Sequence, residues 1–160
     1  MRGGFLPPAI LCAALGIALA FIPSQPARLS ALLAAAAAVT TWLAGPSVAW
    51  IEPIYVGCWV SVIANCALAY RPGVLPQPVF FAAAANTGLW TGAVTAVSGQ
   101  GRDLGIALAC ILLFVPAQLI VRRGWSIGLK VIASWLTAVA ILATMVSLTP
   151  TPGYKPDHME

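Results

Sequence analysis

The chain has 160 residues, of which 61% are hydrophobic and 8% charged, with a formal net charge of +4. Soluble domains are about 45–50% apolar and about 25% charged, so this composition excludes a soluble globular enzyme, a disordered chain and a disulfide scaffold. A nucleic-acid reader is excluded too, because its phosphate footprint needs clustered basic charge. At about 20 residues per crossing, the length allows five or six membrane spans and no separate soluble domain.

Six apolar segments follow one another, each ended by a polar or Pro/Gly break. The first runs from Leu6 to Ile22 and stops at Pro23-Ser24-Gln25-Pro26. Arg2 ahead of it gives the outline of a signal peptide, but no small-x-small cleavage site follows and two prolines crowd its place, so this segment is expected to stay as a helix. The second runs from Leu29 to Ala44, the third from Pro53 to Tyr70 and the fourth from Pro78 to Val97. The fifth begins after Arg102-Asp103 and reaches Val121; the sixth runs from Ile127 to Leu148. Residues 1–148 thus form one transmembrane unit. Residues 149–160 form a Pro-rich polar tail suited to docking over the bundle or onto a partner.

The segments are rich in Ala and Leu and lack the alternation of barrel strands. Backbone in lipid must also bond within its own segment. The expected fold is all-α: a polytopic transmembrane helical bundle of about six spans, or five if the two short leading segments form one re-entrant pair. With six spans, one side collects Arg28, Arg71, Arg122, Arg123 and Lys130, and the other Arg2, Arg102 and Lys155. Basic residues mark the cytoplasmic side, which puts both termini outside the cytoplasm and, in a bacterium, the chain in the inner membrane. A split at residues 71–76 gives two three-helix halves of inverted topology, an arrangement used by transporters. Cys58-Trp59-Val60-Ser61-Val62-Ile63-Ala64 matches Ser134-Trp135-Leu136-Thr137-Ala138-Val139-Ala140 at the Trp and the last Ala, a similarity that chance also produces between helices of this composition.

No Asp, Glu, Lys, Arg or His falls in the middle of a span. Glu52, before Pro53, reads as a helix-start acid at the positive end of the helix dipole; the sharper reading makes it a cation or proton site beside Tyr55. Asp103 reads as an N-cap. Lys130 can snorkel beside Arg122 and Arg123, the three making a basic collar for anionic lipid headgroups. The neutral residues Asn65, Asn86, Thr87 and Gln118 are either interhelical glue or the lining of a path for a neutral or zwitterionic solute. Pro116 frees a carbonyl that Gln118 or water would satisfy.

Ala84, Gly88, Gly92 and Ala96 recur every four residues and form a ridge of small side chains, central to the fold or else the seam of a homo-oligomer. Trp42, Trp50 and Trp125 sit near span ends as interfacial anchors, whereas Trp59, Trp90 and Trp135 are placed to fill gaps between helices. Cys12, Cys58, Cys66 and Cys110 all lie in apolar spans without metal-binding spacing, and His158 stands alone in the tail, so no metal and no cofactor are expected. Three functions remain in view. The first is a transporter or channel-like component. The second is a non-catalytic accessory subunit of a larger membrane complex. The third, an intramembrane enzyme, lacks an acid pair, a His cluster or a nucleophile–base pair at depth, so the chain is not expected to be an enzyme. The expected partners are the bilayer and a second copy or larger complex, with no nucleic acid.

Overall fold

The computed structural model describes residues 5–71 and 75–148, and every regular element in them is helical. The order is α1 (Leu6–Leu19), α2 (Ser24–Ala44), a single 3-10 turn at Val48–Trp50, α3 (Ile51–Leu68), α4 (Gln77–Ser98), α5 (Gly101–Ile111), α6 (Phe114–Arg122) and α7 (Ser126–Leu148). Because α5 and α6 are two halves of one span, Gly101–Arg122, the helical segments number six. Arg2, Lys155, His158 and the tail 149–160 lie outside the described residues.

Four of the six segments are long and apolar enough to cross a membrane: α2, α3, α5–α6 and α7. The other two fall short of this, α1 by its length and α4 by its composition. α1 has 14 residues, about 21 Å at 1.5 Å per residue, against about 30 Å of hydrocarbon. It is nevertheless the most enclosed element, with Leu11, Leu15 and Leu19 fully buried. α4 is long enough at 22 residues but carries Asn86, Thr87, Thr91 and Thr95. A helix screened by other helices need not be apolar all round, and α4 is screened by α1, α2 and α3.

α2 starts earlier than the hydropathy suggests, at Ser24 rather than Leu29, because Pro26 falls in the first turn, where a missing N–H breaks no helical bond. With 21 residues α2 is long and apolar enough to cross by itself. Asp103 is not an N-cap. It stands three residues after Gln100, the residue that occupies that position, and its Oδ2 accepts the Gln100 N–H at 2.8 Å.

Paired contacts fix the helix directions. Gly88 sits over Ala34 and Gly92 over Ala38, so α2 and α4 are parallel. Gly16 lies against Ile111 and Phe114, and Gln118 reaches Leu19 and Ile22, so α1 and α5–α6 are parallel. Asn65 bonds Thr87 while Tyr55 bonds Ser98, which makes α3 and α4 antiparallel. Tyr70 donates to the Lys130 carbonyl at 2.7 Å, tying the end of α3 to the start of α7. The directions therefore alternate along the chain, and the halves α1–α3 and α4–α7 run in opposite senses. Those halves are unlike in detail: α1 is far shorter than α4. Trp59 is buried, whereas its counterpart Trp135 is 67% exposed on the outside of α7, so Trp135 does not fill a gap between helices.

The tightest seam joins α2 to α4. A Cβ on Gly88 would run into the Ala34 carbonyl oxygen and the Ala37 side chain, and one on Gly92 into the Ala38 carbonyl and Thr41. The backbones approach this closely because both faces are small: Ala27, Ser30, Ala34 and Ala38 are the buried residues of α2. The Ala84–Gly88–Gly92 ridge is thus filled within the chain by α2 and serves the centre of the fold. In the fifth span, Leu112 and Leu113 bond carbonyls only three residues back, and Pro116 has no N–H to offer Leu112. Gly16 packs at this break, where a Cβ would lie 3.0 Å from the Ile111 oxygen and 3.3 Å from the Phe114 nitrogen.

Candidate functional site

The polar side chains of the interior converge on α4. Thr87, Thr91 and Thr95 recur every four residues beside the glycine ridge and are all buried. Asn65 of α3, 1% exposed, donates its Nδ2 to Thr87 Oγ1 at 2.8 Å. Cys12 of α1 meets Thr91 with Sγ and Oγ1 3.4 Å apart, and Thr95 Oγ1 donates to the Thr91 carbonyl at 2.8 Å. One turn of α3 away, Ser61 Oγ accepts from Asn86 Nδ2 at 2.8 Å, and Asn86 Oδ1 accepts from Trp90 Nε1 at 2.9 Å. Toward the end of α4, Tyr55 donates to Ser98 Oγ at 2.7 Å and Ser98 donates to the Val94 carbonyl at 2.8 Å. Ser30 Oγ is the one buried side-chain N or O without a hydrogen bond among the described residues. Apart from Ser30, these polar groups are therefore held by one another across α1, α3 and α4 or by carbonyls of α4, with Asn86 exposed and the others buried or half-buried. None is a carboxylate, an imidazole or a basic group, so the site can exchange hydrogen bonds but offers no permanent charge.

This row adjoins an open groove of about 650 Å³ between the end of α2, the following turn and the start of α3. Its walls include Thr40, Thr41, Ser47 and Trp50, with Leu89, Trp90 and Ala93 of α4 as the floor. Trp90 touches both row and groove. On one side it lines the groove, and on the other its indole holds Asn86. Gly57 makes room for the ring: a Cβ there would lie 2.5 Å from two of its atoms.

Of the sequence-derived set the structure joins Asn65 to Thr87, while Asn86 is exposed and bonds Ser61 one turn of α3 away. Gln118 belongs elsewhere. Its Nε2 donates to the carbonyls of Ile22 at 3.1 Å and Leu19 at 3.4 Å, satisfying groups that a helix end leaves open, and it does not serve the carbonyl freed by Pro116. Glu52 is an exposed residue in the first turn of α3, while the Tyr55 hydroxyl turns to Ser98. Arg122 and Arg123 are exposed and Lys130 is half-buried at the same end of the bundle. Sequence reasoning missed Ser61, Thr91, Thr95, Trp90 and the placement of Cys12. The threonine row was available as a four-residue repeat one position from the glycine ridge. Among the described residues no group of three His, Cys, Asp or Glu could hold a metal.

The Asn65–Thr87 bond should be worth roughly what buried interhelical hydrogen bonds in membranes are worth. A double-mutant cycle of Asn65→Ala and Thr87→Ala, read from unfolding in a detergent titration, is expected to give a coupling of about 0.6–1.7 kcal/mol.

No protein-family model matches the chain, and no curated protein or solved structure shows significant similarity to it.

Proposed function

We propose that the protein is a multi-pass integral membrane protein that passes a small neutral or zwitterionic solute. The observation that supports this reading is the row of neutral hydrogen-bonding side chains, which starts at the groove wall formed by Trp90 and runs through Asn86, Ser61, Thr87 and Asn65 to Thr91 and Cys12. Small-residue packing alone seats α4 against α2, so the helix has no structural need for this many polar groups inside apolar surroundings. A solute with hydroxyl, amide or paired opposite charges can take over their hydrogen bonds one at a time. In the structure Asn65 and Thr87 bond each other, which is the closed arrangement of such a path; passage requires that pair to part.

The placement of charge supports an orientation. Arg28, Arg71, Arg122, Arg123 and Lys130 lie at the end where α1 finishes and α2 begins, while Glu52, Arg102 and Asp103 lie at the other. By the positive-inside rule the first end is cytoplasmic.

An accessory role in a larger membrane complex is favoured by one observation. Trp135 stands in the middle of α7 and is exposed, whereas tryptophans in contact with lipid concentrate at the interfaces.

Reconstitution into liposomes separates the two readings. A carrier or channel-like protein makes the vesicles swell in iso-osmotic glycine or glycerol faster than empty ones, and Asn65→Leu lowers that rate by about tenfold, equivalent to about 1.4 kcal/mol. Rates equal to those of empty vesicles for both solutes would reject transport of this class. Recovery of one stoichiometric partner chain from the native membrane, lost on Trp135→Ala, would support the accessory role.

A further inference from the structure

We propose that the groove between α2 and α5 holds an acyl chain of an anionic phospholipid, with Arg28 binding the headgroup phosphate. The proposal rests on the membrane placement given above and not on solute transport. The groove encloses about 520 Å³, and every residue lining it except Arg28 is apolar. It is lined by small side chains from both helices, Ala31 and Ala35 on α2 and Gly105 and Ala109 on α5. Helices with such faces ordinarily close on each other, as α2 does on α4. Here they stand apart: a Cβ on Gly105 would meet nothing within 4 Å, and Leu112 on the groove wall is 61% exposed. A space walled by hydrocarbon is a poor place for water, which needs two or more polar partners. In a bilayer the molecule at hand to fill it is a lipid chain.

Arg28 decides the headgroup. It is exposed, has no acidic partner among the described residues, and lies at the end of the bundle that carries the other described basic residues except Arg102. Its guanidinium can present two parallel N–H groups to phosphate oxygens. From Arg28 to Ala35 the helix rises about 10 Å, so a chain descending from a phosphate at Arg28 lies along the groove for about a third of the hydrocarbon thickness. The charge also selects against zwitterionic lipids, whose choline would be set beside a cation.

The test is native mass spectrometry of the purified full chain offered phosphatidylglycerol and phosphatidylcholine in equal amounts. Wild type is expected to retain phosphatidylglycerol preferentially. Arg28→Gln should lower that adduct by about tenfold and even out the two lipids. Gly105→Leu, which places a side chain in open space, should reduce both adducts. Arg102→Gln, at the opposite end, should change neither. Wild-type retention by both Arg28→Gln and Gly105→Leu would overturn the proposal. So would a Gly105→Leu variant that converts a dimer to a monomer with its lipid unchanged, since the groove would then belong to a second copy. A chain recovered from cells in the soluble fraction would remove the membrane premise and the proposal with it.

Discussion

Gly88→Ala is expected to destabilise the bundle by about 1–3 kcal/mol, and Gly88→Leu to prevent its assembly. One methyl group is enough because the space beside Gly88 is already taken by backbone: the Ala34 carbonyl lies where the Cβ would go, with the Ala37 side chain behind it. A carbonyl in a helix cannot swing aside as a long side chain can, so the two helices must separate along the seam. Separation forfeits dispersion contacts that lipid tails do not replace. Gly105→Ala is the control. It adds the same methyl on α5 where nothing lies within 4 Å, and the better helix propensity of alanine should raise stability by up to about 1 kcal/mol. Unfolding midpoints in a detergent titration, with elution from a sizing column to detect failed assembly, read both. Equal effects at positions 88 and 105 would mean that the α2–α4 contact is not close-packed.

Trp90→Ala is expected to raise glycine or glycerol entry into proteoliposomes by about tenfold or more, equivalent to at least about 1.4 kcal/mol off the barrier. The indole lines the groove and donates to the exposed Asn86, whose amide in turn holds Ser61. Removing it takes away part of the groove lining and the bond that holds Asn86 on Ser61, and leaves the Asn65–Thr87 pair as the next obstacle. The stability cost should be up to about 3 kcal/mol, the low end for aromatic-to-alanine changes, because the ring is only half-buried. Trp90→Phe keeps a ring against Gly57 but cannot donate to Asn86, so it should restore most of the stability and leave entry closer to wild type. If Trp90→Ala leaves entry unchanged while the protein remains folded, the groove is not the way in.

Much of the fold was legible because its determinants are local. Continuous apolar runs ended by proline and glycine locate the six segments to within a few residues, and the four-residue spacing of Gly88 and Gly92 identifies a close seam. Which helix fills that seam was not legible, since Ala34 and Ala38 sit in an alanine-rich run where every register looks alike. Hydropathy also ranks the segments by their own composition and not by their surroundings. It therefore could not show that the short α1 is the most enclosed helix, or that the polar α4 is tolerated because neighbours screen it.

The site divides in the same way. Asn65 and Thr87 stand out as polar groups within apolar runs, and they do bond each other. Gln118 stands out equally, yet it caps the carbonyls at the end of α1, a role set by how two distant segments pack. Trp135 looked like Trp59 in its local string but lies on the opposite kind of surface, because the two helices turn different faces to their common neighbours.

The short helix α1 and the Gly88–Thr91–Thr95 face of α4 are enclosed by the other helices. Footprinting of the protein in liposomes with a lipid-soluble carbene reagent tests this enclosure directly. Label is expected on the outer helices, at residues such as Leu32, Leu112 and Leu142, all well exposed. Read residue by residue, Leu15 and Thr91, both fully buried, should stay unlabelled, whereas Leu89, 45% exposed on the outer face of α4, takes up label. Labelling of Leu15 and Thr91 to the level of α7 would contradict the arrangement, and with it the polar path built upon it.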